Sequence, residues 1–202
     1  MSAEGAAAPD DSPPVRLFVA LDLPDAPRER LARWRDELVA GRDDLRPVAA
    51  EALHVTLVFL GSRPESDVEA IAAAAFAPLA GLATPRLRPR AVLGVPRRRP
   101  RLFALDLLDR GEATATLHAA ISGALEAAGH HRPERRRFWP HVTLARVKRD
   151  RRAAPLGPLP APEGAFDAGA VVLYRSLLRP QGAIYEPLAQ RRVGDSYPPD
   201  GG

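Results

Sequence analysis

Two lobes of mixed strand and helix, built from a repeated unit and facing each other, are what this 202-residue sequence predicts. Two observations lead there. The tetrapeptide His-Val-Thr-Leu occurs at 54–57 and again at 141–144, each time inside an apolar run. Each copy follows a helix-like segment, which itself follows a strand-like one, so one strand–helix–strand unit is written twice. A content of 46% hydrophobic and 27% charged residues suits a folded chain with a sizeable core.

In order along the chain, VRLFVALDL (15–23) reads as a buried strand. PDAPRERLARWRDELVAG (24–41) reads as an amphipathic helix, with Leu31, Trp34 and Leu38 on one face and Gly41 at its end. LHVTLVFLG (53–61) is a strand closed by Gly61. PESDVEAIAAAAFAPLAG (64–81) is a second helix whose Ser66 and Glu69 have the spacing of a capping box. RLRPRAVLGV (86–95) and RLFALDLL (101–108) are strands joined by an arginine–proline turn at 96–100. After Gly111 the order recurs: helix 112–129, strand 138–147, a proline-rich linker at 151–164, and strands at 166–178 and 183–192. Residues 1–14 and 193–202, rich in Pro, Gly, Ala and acids, are expected to be tails around a single domain at 15–192.

Composition excludes several classes. No apolar run approaches the roughly 20 residues of a membrane span, and the first residues lack the features of a signal peptide, so a cytoplasmic location is expected. The chain has no cysteine, which removes disulfides, thiolate nucleophiles and cysteine-ligated zinc. The net charge is only +4, but the basic residues are clustered and all but Lys148 are arginine. Seven arginines and no acid lie between Arg86 and Arg101, and Arg132, Arg135, Arg136 and Arg137 precede the second tetrapeptide. Guanidinium groups bind phosphate bidentately and keep their charge, so a phosphate-bearing partner fits these clusters; an arginine-rich composition explains any single one of them equally well.

On a strand, successive side chains alternate faces. His54 and Thr56 therefore share one face while Val55 and Leu57 share the other, and His141, Thr143, Val142 and Leu144 repeat the arrangement. A histidine serves as acid or base near neutrality, and a hydroxyl donates to a phosphoryl oxygen. Two such pairs across a cleft would place one imidazole on each side of a phosphorus, which suits in-line transfer without a metal. A lone His-x-Thr is usually structural; the repetition is what points to function. The other histidines, His118 within a helix and His130 and His131 in the following turn, look structural. A two-histidine metal site is the rival use, but no carboxylate shares the histidine face.

LHVTLVFLG and PHVTLAR, one in each half, resemble the paired His-x-Thr signatures of the two-histidine phosphoesterase superfamily. RLFVALDLP, FWPHVTLAR and LYRSLLRPQGAIYEPLA extend the resemblance, over about Val15 to Gln190, to the bacterial RNA 2′,3′-cyclic phosphodiesterases, also called 2′-5′ RNA ligases. The resemblance implies an α+β bilobal fold of two antiparallel sheets flanked by helices, with the active site in the groove between the lobes. It implies opening of a terminal 2′,3′-cyclic phosphate on RNA to a 2′-phosphate, with no cofactor. Carried over, His54 is the proton donor, His141 the proton acceptor, and Thr56 and Thr143 contact the phosphate. The near-symmetry of the motifs leaves the reverse assignment chemically open.

Substrate contacts beyond the motifs are expected from Arg97 and Arg99 on the 96–100 turn, tracking an RNA backbone, and from Tyr185, Phe103 or Trp139 as a stacking face. Arg146 points away from the cleft by strand alternation unless a bulge intervenes. The expected partner is an RNA or oligonucleotide with a 2′,3′-cyclic phosphate end, bound by a monomer away from membranes. Ligation, hydrolysis of 2′-5′ or cyclic-nucleotide linkages, and RNA binding without turnover are the alternatives. No GxxxxGK loop is present to support an ATP-driven ligase.

Overall fold

The computed structural model describes residues 13–157, 159–179 and 182–194. The strands are β1 (Pro14–Asp22), β2 (Leu45–Pro47), β3 (His54–Pro64), β4 (Arg86–Val95), β5 (Leu102–Asp109), β6 (His141–Val147), β7 (Phe166–Asp167), β8 (Ala170–Arg179) and β9 (Gly182–Arg192). The helices are α1 (Asp25–Leu38), α2 (Val68–Phe76) and α3 (Ala113–Ala127). The strands form one sheet in the order β7-β4-β5-β6-β3-β1-β8-β9, with β2 on β6, and every pairing is antiparallel.

Among the described residues, the expected two sheets are thus a single nine-stranded one. They join where the motif strands meet, through one pair, Val55 with Val142. Both valines are fully buried, and the pairing covers strand edges that two separate sheets would leave open.

One face of the sheet carries the helices. Leu31, Trp34 and Leu38 of α1, Ile71 and Phe76 of α2, and Leu117, Ile121 and Leu125 of α3 pack on Leu21, Val55, Leu57, Leu105, Val142 and Leu144. Each is a residue that alternation or helical periodicity directs to that side. Fully burying one such leucine is worth about 1.5–3 kcal/mol. A separate cluster, Phe18, Ala20, Val172 and Tyr174 with Tyr185 against it, lies apart from this core.

Local departures have local causes. α2 starts after a 3₁₀ turn at Glu65–Asp67, so its N-cap is Asp67 and the expected Ser66–Glu69 capping box does not open the helix. The strand expected at 166–178 is split into β7 and β8. Strand β2, short and ended by Pro47, carried no periodic signal. The 151–164 linker is held down by Trp34, whose indole N–H donates to the Pro160 carbonyl at 2.8 Å, and by Arg42, which donates to the Ala154 carbonyl at 3.0 Å. Pro14, placed in a tail by the sequence, pairs with Pro64, and Val193 is buried with its N–H on the Gly169 carbonyl. The rest of the expected tails, 1–12 and 195–202, lies outside the described residues.

Candidate active site

The register of β3 on β6 determines how the two tetrapeptides meet. Val55 faces Val142; one residue further in each direction sets His54 opposite Thr143 and Thr56 opposite His141. Because the valines are buried among the helix-side residues, the histidines and threonines occupy the other face, where all four are half-buried. The result is one patch with the imidazoles on a diagonal.

Both imidazoles are oriented by the same device. His54 Nδ1–H donates to the carbonyl of Ala52 at 2.9 Å, and His141 Nδ1–H donates to that of Trp139 at 2.8 Å, two residues upstream in each case. A carbonyl only accepts, so the proton sits on Nδ1 and Nε2 is left with its lone pair. His54 Nε2 lies 3.1 Å from Thr56 Oγ1, which donates to it while the ring is neutral. Burial holds His54 down to about 4, against its bond to Ala52, and the charges of His141 and Arg146 lower it further. His141 is also lowered by burial; its bond to Trp139 and the Asp106 carboxylate oppose this, and Arg136 reinforces it. At neutral pH the free protein therefore carries both rings neutral.

The surroundings differ. His54 sits among aromatic rings: Phe18 at 5.0 Å, Tyr185 edge-on at 5.2 Å and Tyr174 at 6.0 Å between centroids. His141 is stacked on Trp139, at 4.2 Å and 15° between planes. The Trp139 indole N–H donates to Asp106 Oδ1 at 2.7 Å, and Arg90 Nε reaches Asp106 Oδ2 at 2.5 Å.

Tyr185 is thus brought to the histidine patch, whereas Arg97 and Arg99 are not. Both lie in the turn that joins β4 to β5, and Arg97 lines a separate groove under the 153–161 segment. Phe103 is buried and packs on Leu45 and Ala145. Arg146 is a correction to simple alternation. Phe103 pairs with Ala145 but Ala104 with Thr143, so Leu144 is bulged and Arg146 turns to the histidine face, where its charge acts on His54. The same event occurs in β3: Val19 pairs with Val58 but Ala20 with Thr56. Leu57 is bulged and Phe59, paired with Phe18, stands 65% exposed on that face.

Phe59 and Asp106 were missed by the sequence reading. Phe59 occupies, five residues after His54, the position that Arg146 occupies after His141. Asp106 lies in a second repeat, RLFVALDL at 16–23 against RLFALDL at 101–107, and its counterpart Asp22 pairs with His54 as Asp106 pairs with His141. A pocket of about 130 Å³ opens beside the patch between Thr56, Phe59, Trp139 and His141. His118 and His131, along with Arg136 and Arg137, line its far side. His118 is tied to the Leu57 carbonyl at 2.8 Å and stacked on Phe138. Among the described residues, no three histidines or carboxylates converge as metal ligands, and no helix is long and apolar enough to cross a membrane.

Known proteins resemble this chain in sequence and in fold. Residues 23–178 match the profile of the 2′-5′ RNA ligase superfamily. The RNA 2′,3′-cyclic phosphodiesterase of Methanothermobacter thermautotrophicus is 31% identical over 176 residues, 85% of this chain and 95% of that one. The Escherichia coli protein of the same name is 32% identical over 184 residues, 88% and 96% of the two chains. Among solved structures, TT0787 of Thermus thermophilus superposes with a TM-score of 0.74 at 29% identity, covering 90% of this chain and all of that one. E. coli LigT complexed with 3′-AMP gives 0.71 at 26% identity, covering 91% and all of the respective chains. With a match running through both His-Val-Thr-Leu strands and relatives above 30% identity along nearly the whole chain, this protein belongs to the 2′-5′ RNA ligase superfamily.

Proposed function

We propose that the chain is an RNA 2′,3′-cyclic phosphodiesterase that opens a terminal cyclic phosphate to a 2′-phosphomonoester by two-histidine acid–base catalysis, without a metal. The observation that carries this reading is the pair of imidazoles on one patch, each with Nδ1 tied to a carbonyl and Nε2 left for proton transfer. His141 Nε2 takes a proton from water as its oxygen bonds to phosphorus. The bond from phosphorus to the 3′ oxygen breaks, and His54 gives that oxygen its proton. Thr56 and Thr143 donate to the non-bridging oxygens, and the Arg146 charge offsets the negative charge gathering on them.

The protonation states follow from the charges. With no substrate both rings are neutral; an anionic phosphodiester between them favours imidazolium, so that His54 takes up its proton from solvent as the substrate binds. The low proton affinity of His54 makes it a strong donor once charged, while Asp106 stabilises the imidazolium that forms at His141.

The single sheet reads as two equivalent halves, β4-β5-β6 and β8-β1-β3, related across the Val55–Val142 pair, which is the duplicated bilobal plan drawn as one curled surface. Phe59 and Tyr185 supply faces for a base, and Arg97 and Arg99 add positive charge along the path of the RNA. The enzyme acts as a monomeric cytoplasmic domain spanning about residues 15–192.

The test is cleavage of an oligoribonucleotide ending in a 2′,3′-cyclic phosphate, in excess chelator, by the wild type, His54→Ala and His141→Ala. The reading expects a 2′-phosphate product and a loss of about 10²–10⁴-fold in each folded variant. A wild type that binds the RNA but leaves the ring closed, or a rate abolished by chelator, would overturn it. Transfer to a 5′-hydroxyl in place of water, detected as a 2′-5′ linkage, would identify the ligase alternative.

A further inference from the structure

We propose that Asp106 is a positioning residue that acts through Trp139 to aim His141 and to stabilise its protonated form. The role in turnover rests on the phosphodiesterase reading; the effect on the imidazole itself does not.

Asp106 lies on β5 directly across from His141 and is only 4% exposed. A carboxylate so buried needs partners, and each oxygen has one: Oδ1 accepts from the Trp139 indole and Oδ2 from Arg90 of β4. Trp139, in the irregular segment just before β6, contacts His141 twice. Its carbonyl takes the Nδ1 proton, and its indole lies flat against the imidazole. Anchoring the indole therefore determines both the tilt of the ring and the direction of Nε2. Asp106 does not receive the Nδ1 proton itself, so it acts by holding the tryptophan and by its charge.

That charge favours imidazolium at His141, and an indole face does so too. The charged groups around the ring are Asp106 on β5 with its partner Arg90 on β4, Arg136 in the segment before β6, and His54 on β3. Asp106 is the carboxylate whose charge acts on the ring; Glu134, with Arg137, lines the adjoining pocket. The first half lacks this device. Asp22, the repeat counterpart, pairs with His54, but its Oδ1 is buried with no hydrogen-bond partner, the Arg28 guanidinium lies 3.7 Å away, and no indole covers His54. The network thus distinguishes two otherwise near-identical motifs, and it favours His141 as the ring that gains a proton.

Two variants test this in the full chain. Asp106→Asn keeps an acceptor for the indole but removes the charge; Trp139→Phe keeps the backbone carbonyl and a ring but loses the tie to Asp106. The His141 imidazole is titrated by NMR without substrate, in spectra that also report folding, and kcat and KM are measured on an oligoribonucleotide with a 2′,3′-cyclic phosphate end. The expected results are a lower titration midpoint for His141 in both variants, an unmoved midpoint for His54 relative to that shift, and kcat down by roughly tenfold or more with little change in KM. An unchanged His141 midpoint in folded Asp106→Asn, or a loss confined to KM, would overturn the proposal. If the midpoint falls in a protein that never opens the cyclic phosphate, the phosphodiesterase reading fails while the effect of Asp106 on His141 stands.

Discussion

Neutral burial of His54 makes the fold sensitive to acid in a way that can be assigned to one side chain. Its imidazole is held down to about 4, mainly by desolvation, whereas in an unfolded chain it titrates near about 6.5. Between those values the unfolded chain binds a proton that the folded chain does not, so stability falls as the pH drops through the unfolded value and stops falling below the folded one. The full gap is worth roughly 3 kcal/mol, of which about 2 kcal/mol is already lost at about pH 5. Carboxylates also titrate over this range, so the comparison needs a partner variant. His54→Asn keeps an N–H for the Ala52 carbonyl and does not ionise. Urea unfolding of both proteins at about pH 7 and pH 5 is the assay. The wild type should lose about 2 kcal/mol more than His54→Asn on acidification. Equal losses would refute the reasoning and mean that the His54 ring is solvated well enough to accept its proton in the folded state.

Three further outcomes are expected. Thr143→Val should lower kcat by about 10²-fold with KM little changed, because the hydroxyl acts on charge that develops in the transition state; steady-state kinetics on the cyclic-phosphate oligonucleotide measures it. Phe59→Ala should weaken RNA binding by about 1–3 kcal/mol without lowering the thermal midpoint, since the ring is 65% exposed. Leu105→Ala, in a fully buried position of β5 beneath the helices, should cost about 2–5 kcal/mol of unfolding free energy at constant denaturant slope.

The longer strands, the helices and the motif histidines were legible because each is encoded by local pattern, whereas β2 and the break between β7 and β8 were not. Alternation fixes the faces of His54 and Thr56, helical periodicity brings Leu31, Trp34 and Leu38 together, and the duplicated tetrapeptide marks two equivalent strands. The bulges were not legible. Leu57 and Leu144 look like ordinary in-register core residues, and only the pairing with β1 and β5 reveals the extra residue that swings Phe59 and Arg146 to the histidine side. The arginine turn was the opposite case, conspicuous in composition yet distant from the histidines once β4 and β5 are paired.

The chemistry that the chain carries was therefore written in its residues: two imidazoles and two hydroxyls, on strands whose alternation presents each pair together. Their convergence on one patch was a decision of the tertiary structure, because it depends on the β3–β6 pairing of Val55 with Val142. So was the contrast between the two histidines, one enclosed by Phe18, Tyr174 and Tyr185 and the other laid on Trp139 above Asp106. Side-chain direction is a property of neighbours in the sequence, whereas desolvation and the field of a carboxylate depend on groups that only folding brings near.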